Sequence, residues 1–521
     1  MNKQVVLFIL FTFIIALTGK VSAQSDGNFL NGGNYILPEG LGLSNQMKYS
    51  YDQNIKQEIF EDWLNLDYSK GIFSTGIRFE TFQPNDPNPS ISRGKTRFAG
   101  IDYKYVKLDI GDVEEGIDFT VGNFYELFGR GLVLKSYEDR NIRVDNNLLG
   151  VKLTGKFEGF VLNALTGMPE NSNAERKDIL HAFDLEYRGL KKLKVGFTFA
   201  SNQPDVDGAA RTRLMSLRLE PSIWNFDFYG EFGVKQNDDD KQTYFSKSKS
   251  AIVGKAIYGG TNFYLGSLAL SGEYKYYDNF NFQSGDGTVQ YNTPPSLRKE
   301  YTYVLLNRHP SPLNAADEQG FQVETDYNIN DDNSINASYG LTKTLPATSY
   351  YQEIQGSNLP IRTQLEETYI QATHEWGDVF TTIAAFGYNK ELDTDTKNFT
   401  PILENRFYFD EINTLKLTIE HQQTTVNSTT EKYFDDVITL EYLRSPKFNA
   451  SIVSEMQTRE PDPGRKIRKF WNFIQFGYKI GNHTDISLLF GSRQAGNICI
   501  GGVCRYEPEF SGVELRTFTR F

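Results

Sequence analysis

The sequence is short of nearly everything that catalysis or metal chemistry draws on. It holds two cysteines and five histidines in 521 residues, which excludes a disulfide framework. His181, His309, His374, His421 and His483 are scattered along the chain. No GxSxG, HExxH or phosphate-cradling glycine loop accompanies them. The missing constellation argues against an enzyme, and neither a cofactor nor a metal is expected. Basic charge is lacking too. The formal net charge is -12, which leaves no footprint for nucleic acid. Past residue 23 no run approaches the roughly 18 apolar residues that a membrane-spanning helix requires. Disorder is excluded by what is abundant, since aromatics make up 14% of the chain.

The first 23 residues read as an export signal. Lys3 supplies the positive start, residues 5–17 are apolar, and Val21-Ser22-Ala23 is a small-x-small cleavage pattern. Cleavage is expected between Ala23 and Gln24. Residues 24–42 then form a short periplasmic segment, and 43–521 the body of the protein. No cysteine follows the cut, so the pattern is not that of a lipoprotein.

The body reads as strands almost throughout. Leu193, Val195, Phe197 and Phe199 alternate with Lys194, Gly196, Thr198 and Ala200. Phe321, Val323, Thr325 and Tyr327 alternate with Gln322, Glu324, Asp326 and Asn328 in the same way. A soluble β-sandwich also alternates, so the connections decide. Tight turn signals such as Lys70-Gly71, Glu158-Gly159, Arg188-Gly189-Leu190, Pro221-Ser222, Gly266-Ser267 and Asp331-Asp332 take turns with longer polar links. Those links lie near 52–59, 83–95, 126–145, 236–250, 279–319, 391–398 and 459–466, among others. Short turn, long loop, short turn is the asymmetry of an outer-membrane barrel, with short periplasmic turns and long extracellular loops. The expectation is all-β: one large transmembrane antiparallel β-barrel of about 24 strands, within a range of about 22 to 26.

The C-terminus agrees. Val513, Leu515, Thr517, Thr519 and Phe521 share one face of a last strand that ends on an aromatic residue. Phe521 is therefore expected to be the signal for insertion by the barrel-assembly machinery. Trp224 and Trp376 fall at expected periplasmic turns, where an aromatic girdle meets lipid. The expected surroundings are outer-membrane lipid and lipopolysaccharide, in the cell outer membrane of a Gram-negative bacterium.

What fills the lumen decides the function. Barrels of about 16–18 strands leave an aqueous channel, and those of about 22 carry a plug. Too few residues precede the first strand for a separate plug domain, so infolded loops are the candidates. The loops at 126–145 and 279–319 are long enough. In the first, Gly129 and Gly131 bracket Arg130, and Lys135, Tyr137, Glu138, Asp139, Arg140, Arg143 and Asp145 form a run dense in opposite charges. Such a run either braces a lumen through ion pairs or forms a solvated loop face. The lumen reading is preferred. It makes Phe124, Tyr125, Phe128, Arg130, Lys135, Tyr137, Glu138, Asp139 and Arg140 the candidate constriction.

The segment NFYELFGRGLVLKSYEDRN, with Asn146-Asn147 and Gly150-Val151 after it, resembles the hallmark of an uncharacterised family of Bacteroidota outer-membrane β-barrels. The closing CIGGVCRYEPEFSGVELRTFTRF resembles the end of those proteins. The resemblance runs from about Trp63 to Phe521 and implies an outer-membrane barrel without any assigned activity. Lys135 stands where the pattern has Arg, which removes a bidentate donor there.

Cys499 and Cys504 enclose Ile-Gly-Gly-Val in the last long loop, and an exported protein is expected to join them as a disulfide. Two functions remain in view. One is a channel for small polar solutes, its lumen lined by Glu186, Arg188, Lys194, Glu231, Lys235, Glu273, Lys275, Glu324, Asp326, Lys416 and Glu420. The other is a non-conducting scaffold or receptor whose loops bind a secreted or surface protein, for example within a secretion assembly. The channel is preferred, because nothing in the sequence supplies a plug domain.

Overall fold

The computed structural model describes residues 38–83, 98–140, 144–171, 175–206, 209–238, 251–308, 313–357, 359–459, 469–500 and 503–521. The export signal with Ala23 and Gln24, most of the 24–42 segment, Arg143, His309 and much of the 83–95, 236–250 and 459–466 links lie outside them.

Alternating side chains give each strand one apolar and one polar face, and such strands are stable in lipid only when the sheet closes on itself. It does close. The sheet has 24 strands, each antiparallel to the next. The last strand, Phe510–Arg520, pairs with the first, Leu41–Asp52, from Ser44↔Arg520 to Asp52↔Gly512. The barrel begins at Leu41, two residues ahead of the expected boundary. Among the described residues no helix is long and apolar enough to cross a membrane.

In the strand Ile179–Leu190, Leu180, Ala182, Asp184 and Glu186 are buried in the lumen, while Ile179, Phe183 and Leu185 are exposed outward. Phe470–Ile480 repeats this, with Trp471, Phe473 and Gln475 inside and Phe470, Ile474, Phe476 and Tyr478 outside. The outward band of Ile, Leu and Phe is the lipid-facing surface of a transmembrane barrel.

The turns at one end are tight. Glu158 and Gly159 join Phe157 to Phe160 with both φ values positive, at 46° and 81°, as a type I′ hairpin turn requires. Two turns fall downstream of their sequence signals: the chain reverses at Lys191-Lys192 and at Trp224-Asn225, not at Arg188-Gly189-Leu190 or Pro221-Ser222. A further tight turn spans 112–115, where Asp112 accepts the amides of Glu114 and Glu115, each at 2.8 Å. Its dense acids do not look like a turn dipeptide. Links 53–56 and 392–395, expected to be long, are short. Trp224 and Trp376 are exposed beside the tight turns, as a girdle requires.

Candidate functional site

The long links at the other end include two that fold back into the barrel. The first, 125–147, leaves the strand Gly116–Phe124 and returns in Leu148–Phe157. Phe128, Leu132, Val133 and Leu134 at its tip are at most 1% exposed. Gly129 (φ 54°) and Gly131 (φ 82°) turn the chain there, and the Gly131 amide donates to the Phe128 carbonyl at 2.9 Å. A Cβ at Gly129 would stand 2.9 Å from the Tyr229 hydroxyl, and one at Gly131 would stand 2.8 Å from the Thr293 carbonyl. Glycine is needed at both for backbone conformation and for close approach.

The second link, described over 279–308 and 313–316, is a strap across the lumen. Its Phe280, Phe282, Tyr291 and Leu297 join the tip of the first loop in one apolar cluster against Leu180, Ala182, Ala200, Leu214 and Ala256 of the wall. Small wall residues make the room: a Cβ at Gly233 would meet the Phe280 ring at 2.5 Å. Asp178, at the wall rim, holds the start of the strap by accepting the Gly285 amide at 2.7 Å and the Tyr291 hydroxyl at 3.1 Å. The far half of the strap packs elsewhere. Leu305, in a short helix, meets Val437, Val453, Phe473 and Leu489. Tyr301, Tyr303 and Leu306 meet Tyr369, Ala385 and Ile402. The Glu420 carboxylate accepts the amides of Val304 and Leu305 at 3.1 and 2.8 Å. Each of the larger buried side chains contributes about 2 kcal/mol on area grounds.

Ion pairs fix the first loop from the side. Arg78, on the wall strand Phe73–Gln83, donates to Glu138 and Asp145 at 2.9 Å each and pairs with Glu80 at 2.7 Å. Glu80, Glu138 and Asp145 stand close enough to share a metal ion, and the guanidinium supplies positive charge to all three. Tyr125 donates to Asp145 at 3.0 Å and stacks on Tyr103. Burial raises the Tyr125 hydroxyl far above its ordinary range, and the neighbouring Asp145 and Glu138 push it the same way. Arg140 donates to Glu138 at 2.9 Å and to Gln46 at 3.1 Å, with its guanidinium 5.2 Å from the Trp63 ring centre. A second set lies farther along the wall, on the strand Arg211–Ile223. There Arg218 donates to Asp184 at 2.6 and 2.8 Å and to Glu186 at 2.6 Å, lying over Gly196.

The nine loop candidates therefore divide. Phe124 and Phe128 join the apolar cluster. Tyr125, Glu138 and Arg140 gather around Arg78. Lys135 lies against the Tyr137 ring at 4.6 Å, and its amide donates to the strap at the Tyr291 carbonyl. Asp139 is half-buried opposite Val144. Arg130 stands apart, donating to the Tyr258 hydroxyl at 3.0 Å above the Tyr229 ring. Sequence reading missed Arg78, Asp178, Arg218 and Arg308 as anchors. The period-2 parity of Arg78 and Arg218 marks them as lumen-facing, but nothing local marks Asp178 or Arg308. The lumen residues Glu186, Glu231, Lys235, Lys275 and Glu420 are buried inside the barrel, as their parity requires.

Among the described residues, two cavities open toward the short-turn end. One, of about 660 Å³, lies under Arg140 and reaches the turn at Ser445, Pro446 and Lys447. The other, of about 230 Å³, lies beside Arg130 and Glu273. In the last long link, Cys499 and Cys504 are paired across a two-stranded ladder.

Among solved structures, the chain is similar to OccK5 (OpdH) of Pseudomonas aeruginosa, with 12% identity over 74% of this chain and 97% of that one and a TM-score of 0.38. It is similar to the copper transporter OprC, with 8% identity over 92% of this chain and 80% of that one and a TM-score of 0.46. It is also similar to the FrpB iron transporter of Neisseria meningitidis, with 10% identity, coverage of 93% and 82%, and a TM-score of 0.40. No curated protein matches the chain. A family model matches residues 1–521 in full, and the chain belongs to that family, the family of unknown function DUF6029.

Proposed function

We propose that the chain is an outer-membrane β-barrel of a Gram-negative bacterium that passes small polar solutes, with a lumen narrowed by its two infolded loops. The observation that carries this reading is the polar inner wall that continues past the loops into the cavities beneath them. Lys48 and Arg516 line one of those cavities, and Lys194, Glu220 and Glu273 the other. Charges of both signs keep such a path hydrated, and the loop residues set the size limit. The tight turns and the C-terminal Phe521, which bonds to Leu43, share one end of the barrel. Barrels of this kind place that end in the periplasm. Phe521 then serves the barrel-assembly machinery, the outward band meets lipid and lipopolysaccharide, and Cys499 and Cys504 form a disulfide in an extracellular loop.

One observation favours a second reading. The fully buried Leu132, Val133, Phe280 and Phe282 form a dry cluster inside the lumen, which suits a non-conducting scaffold or receptor for a secreted or surface protein. Swelling of proteoliposomes in solutes of graded size separates the two. Entry of small solutes with a sharp size limit supports transport. No swelling with a folded, heat-modifiable barrel overturns it in favour of the scaffold.

A further inference from the structure

We propose that the cavity under the first infolded loop binds small anionic solutes, those that present carboxylate or phosphate oxygens. This deepens the transport reading by naming a solute class, yet binding here does not require the lumen to conduct. At about 660 Å³ the cavity is of the size that holds small-molecule ligands.

Its charge is the argument. The lining holds five cations, Lys48, Arg140, Lys447, Lys479 and Arg516, against the acids Glu61, Asp485 and Glu507, and the two signs sit at different depths. Lys48 and Arg516 are direct partners in the closing ladder of the barrel. Glu507 and Glu514, which neutralise them, are only 4% and 2% exposed, whereas Lys48 keeps 11% and Arg516 22% of its side chain accessible. Arg140, in the roof, keeps 20%. Glu61 is buried as well. The cations thus stand between the acids and the open space.

The rim adds to this. The Lys479 amide donates to the Lys447 carbonyl at 2.8 Å, which sets the two lysines side by side on adjoining strand ends. Both line the cavity, and among the described residues neither has an ion-pair partner. Asp485 is the exposed acid of the lining. A protein of net charge -12 therefore presents a positive surface at this place. A solute entering it meets ammonium and guanidinium donors first, the groups that suit anionic oxygens.

The test is calorimetric titration of the mature full-length barrel in detergent with citrate, and with glucose as a neutral solute of similar size. Citrate is expected to bind saturably and to weaken as salt rises, while glucose does not bind. The double variant Lys447→Gln, Lys479→Gln alters groups outside the packed core, and its folding is checked by heat-modifiability. It is expected to bind citrate roughly tenfold more weakly, and Asp485→Asn more tightly. Equal binding of citrate and glucose, no citrate binding by the folded barrel, or an unchanged citrate affinity in the double variant would overturn the proposal. Citrate binding without solute entry in proteoliposomes sinks transport alone. Solute entry without citrate binding sinks the anion site alone.

Discussion

Arg308 and Glu455 stand 147 residues apart in the sequence and meet as a buried fork, Nη2 donating to Oε2 at 2.9 Å and Nη1 to Oε1. The pair ties the far end of the strap to the wall strand Phe448–Gln457. Removing one member of a buried pair leaves an uncompensated charge, at a cost of about 3–5 kcal/mol. Glu455→Gln is therefore expected to release the strap end and make residues 299–308 accessible to protease in the folded barrel. Limited proteolysis followed by mass spectrometry reads this directly, and a cleavage pattern identical to wild type would refute it.

The other half of the strap is held by shape. Phe280 is fully buried and lies over Gly233, where no Cβ fits. Phe280→Ala is expected to destabilise the packed loops by about 3–5 kcal/mol. Gly233→Val should loosen the same contact from the wall side. Hydrogen exchange across 280–297 should rise in both variants while exchange in distant wall strands stays unchanged. A rise spread evenly over the barrel would contradict the local account.

The barrel was legible because its signal is local and repeated. Leu193 to Ala200 alternate in sequence and in space, and Glu158-Gly159 names its own turn. The infolded charges Lys135, Glu138, Asp139, Arg140 and Asp145 were legible as a choice between lumen and surface, since a run of mixed charge looks the same in either place. What places Glu138 and Asp145 inside is Arg78 on the wall, which answers them from 60 and 67 positions away. The Arg308–Glu455 fork was beyond reach for the same reason: no local pattern encodes a partner so distant. The turns at Lys191-Lys192 and Trp224-Asn225 were displaced because polar lumen residues such as Arg188 and Glu220 resemble turn residues in sequence.

Acid should act on the strap through Asp286. Burial alone would raise its carboxyl, but hydrogen bonds from Ser284, Thr288 and Asn171 outweigh burial and hold it below the ordinary carboxylate range. A folded value below the unfolded one means that the stabilisation is present above the unfolded pKa, near 4, and is lost as pH falls through the folded value. Exchange at 284–289 is expected to quicken below about pH 4 in the wild type. Asp286→Asn should start looser and lose that acid step. An equal step in both proteins would place the acid response elsewhere.

The backbone register sets Cys499 opposite Cys504 on adjacent strands, positions that a disulfide can bridge. Alkylation of the denatured barrel without reductant is expected to leave both unmodified, and reduction to expose two thiols. Two alkylated cysteines before reduction would rule the bond out.

The most direct test of the central claim, a lumen narrowed by its own loops, is single-channel conductance in a planar bilayer. Wild type would be compared with a barrel whose residues 281–313 are replaced by a short glycine-serine link. Small steps in the wild type and steps several-fold larger in the replacement are the predicted result. Equal conductance in the two would mean that the strap does not set the opening, and would contradict the account.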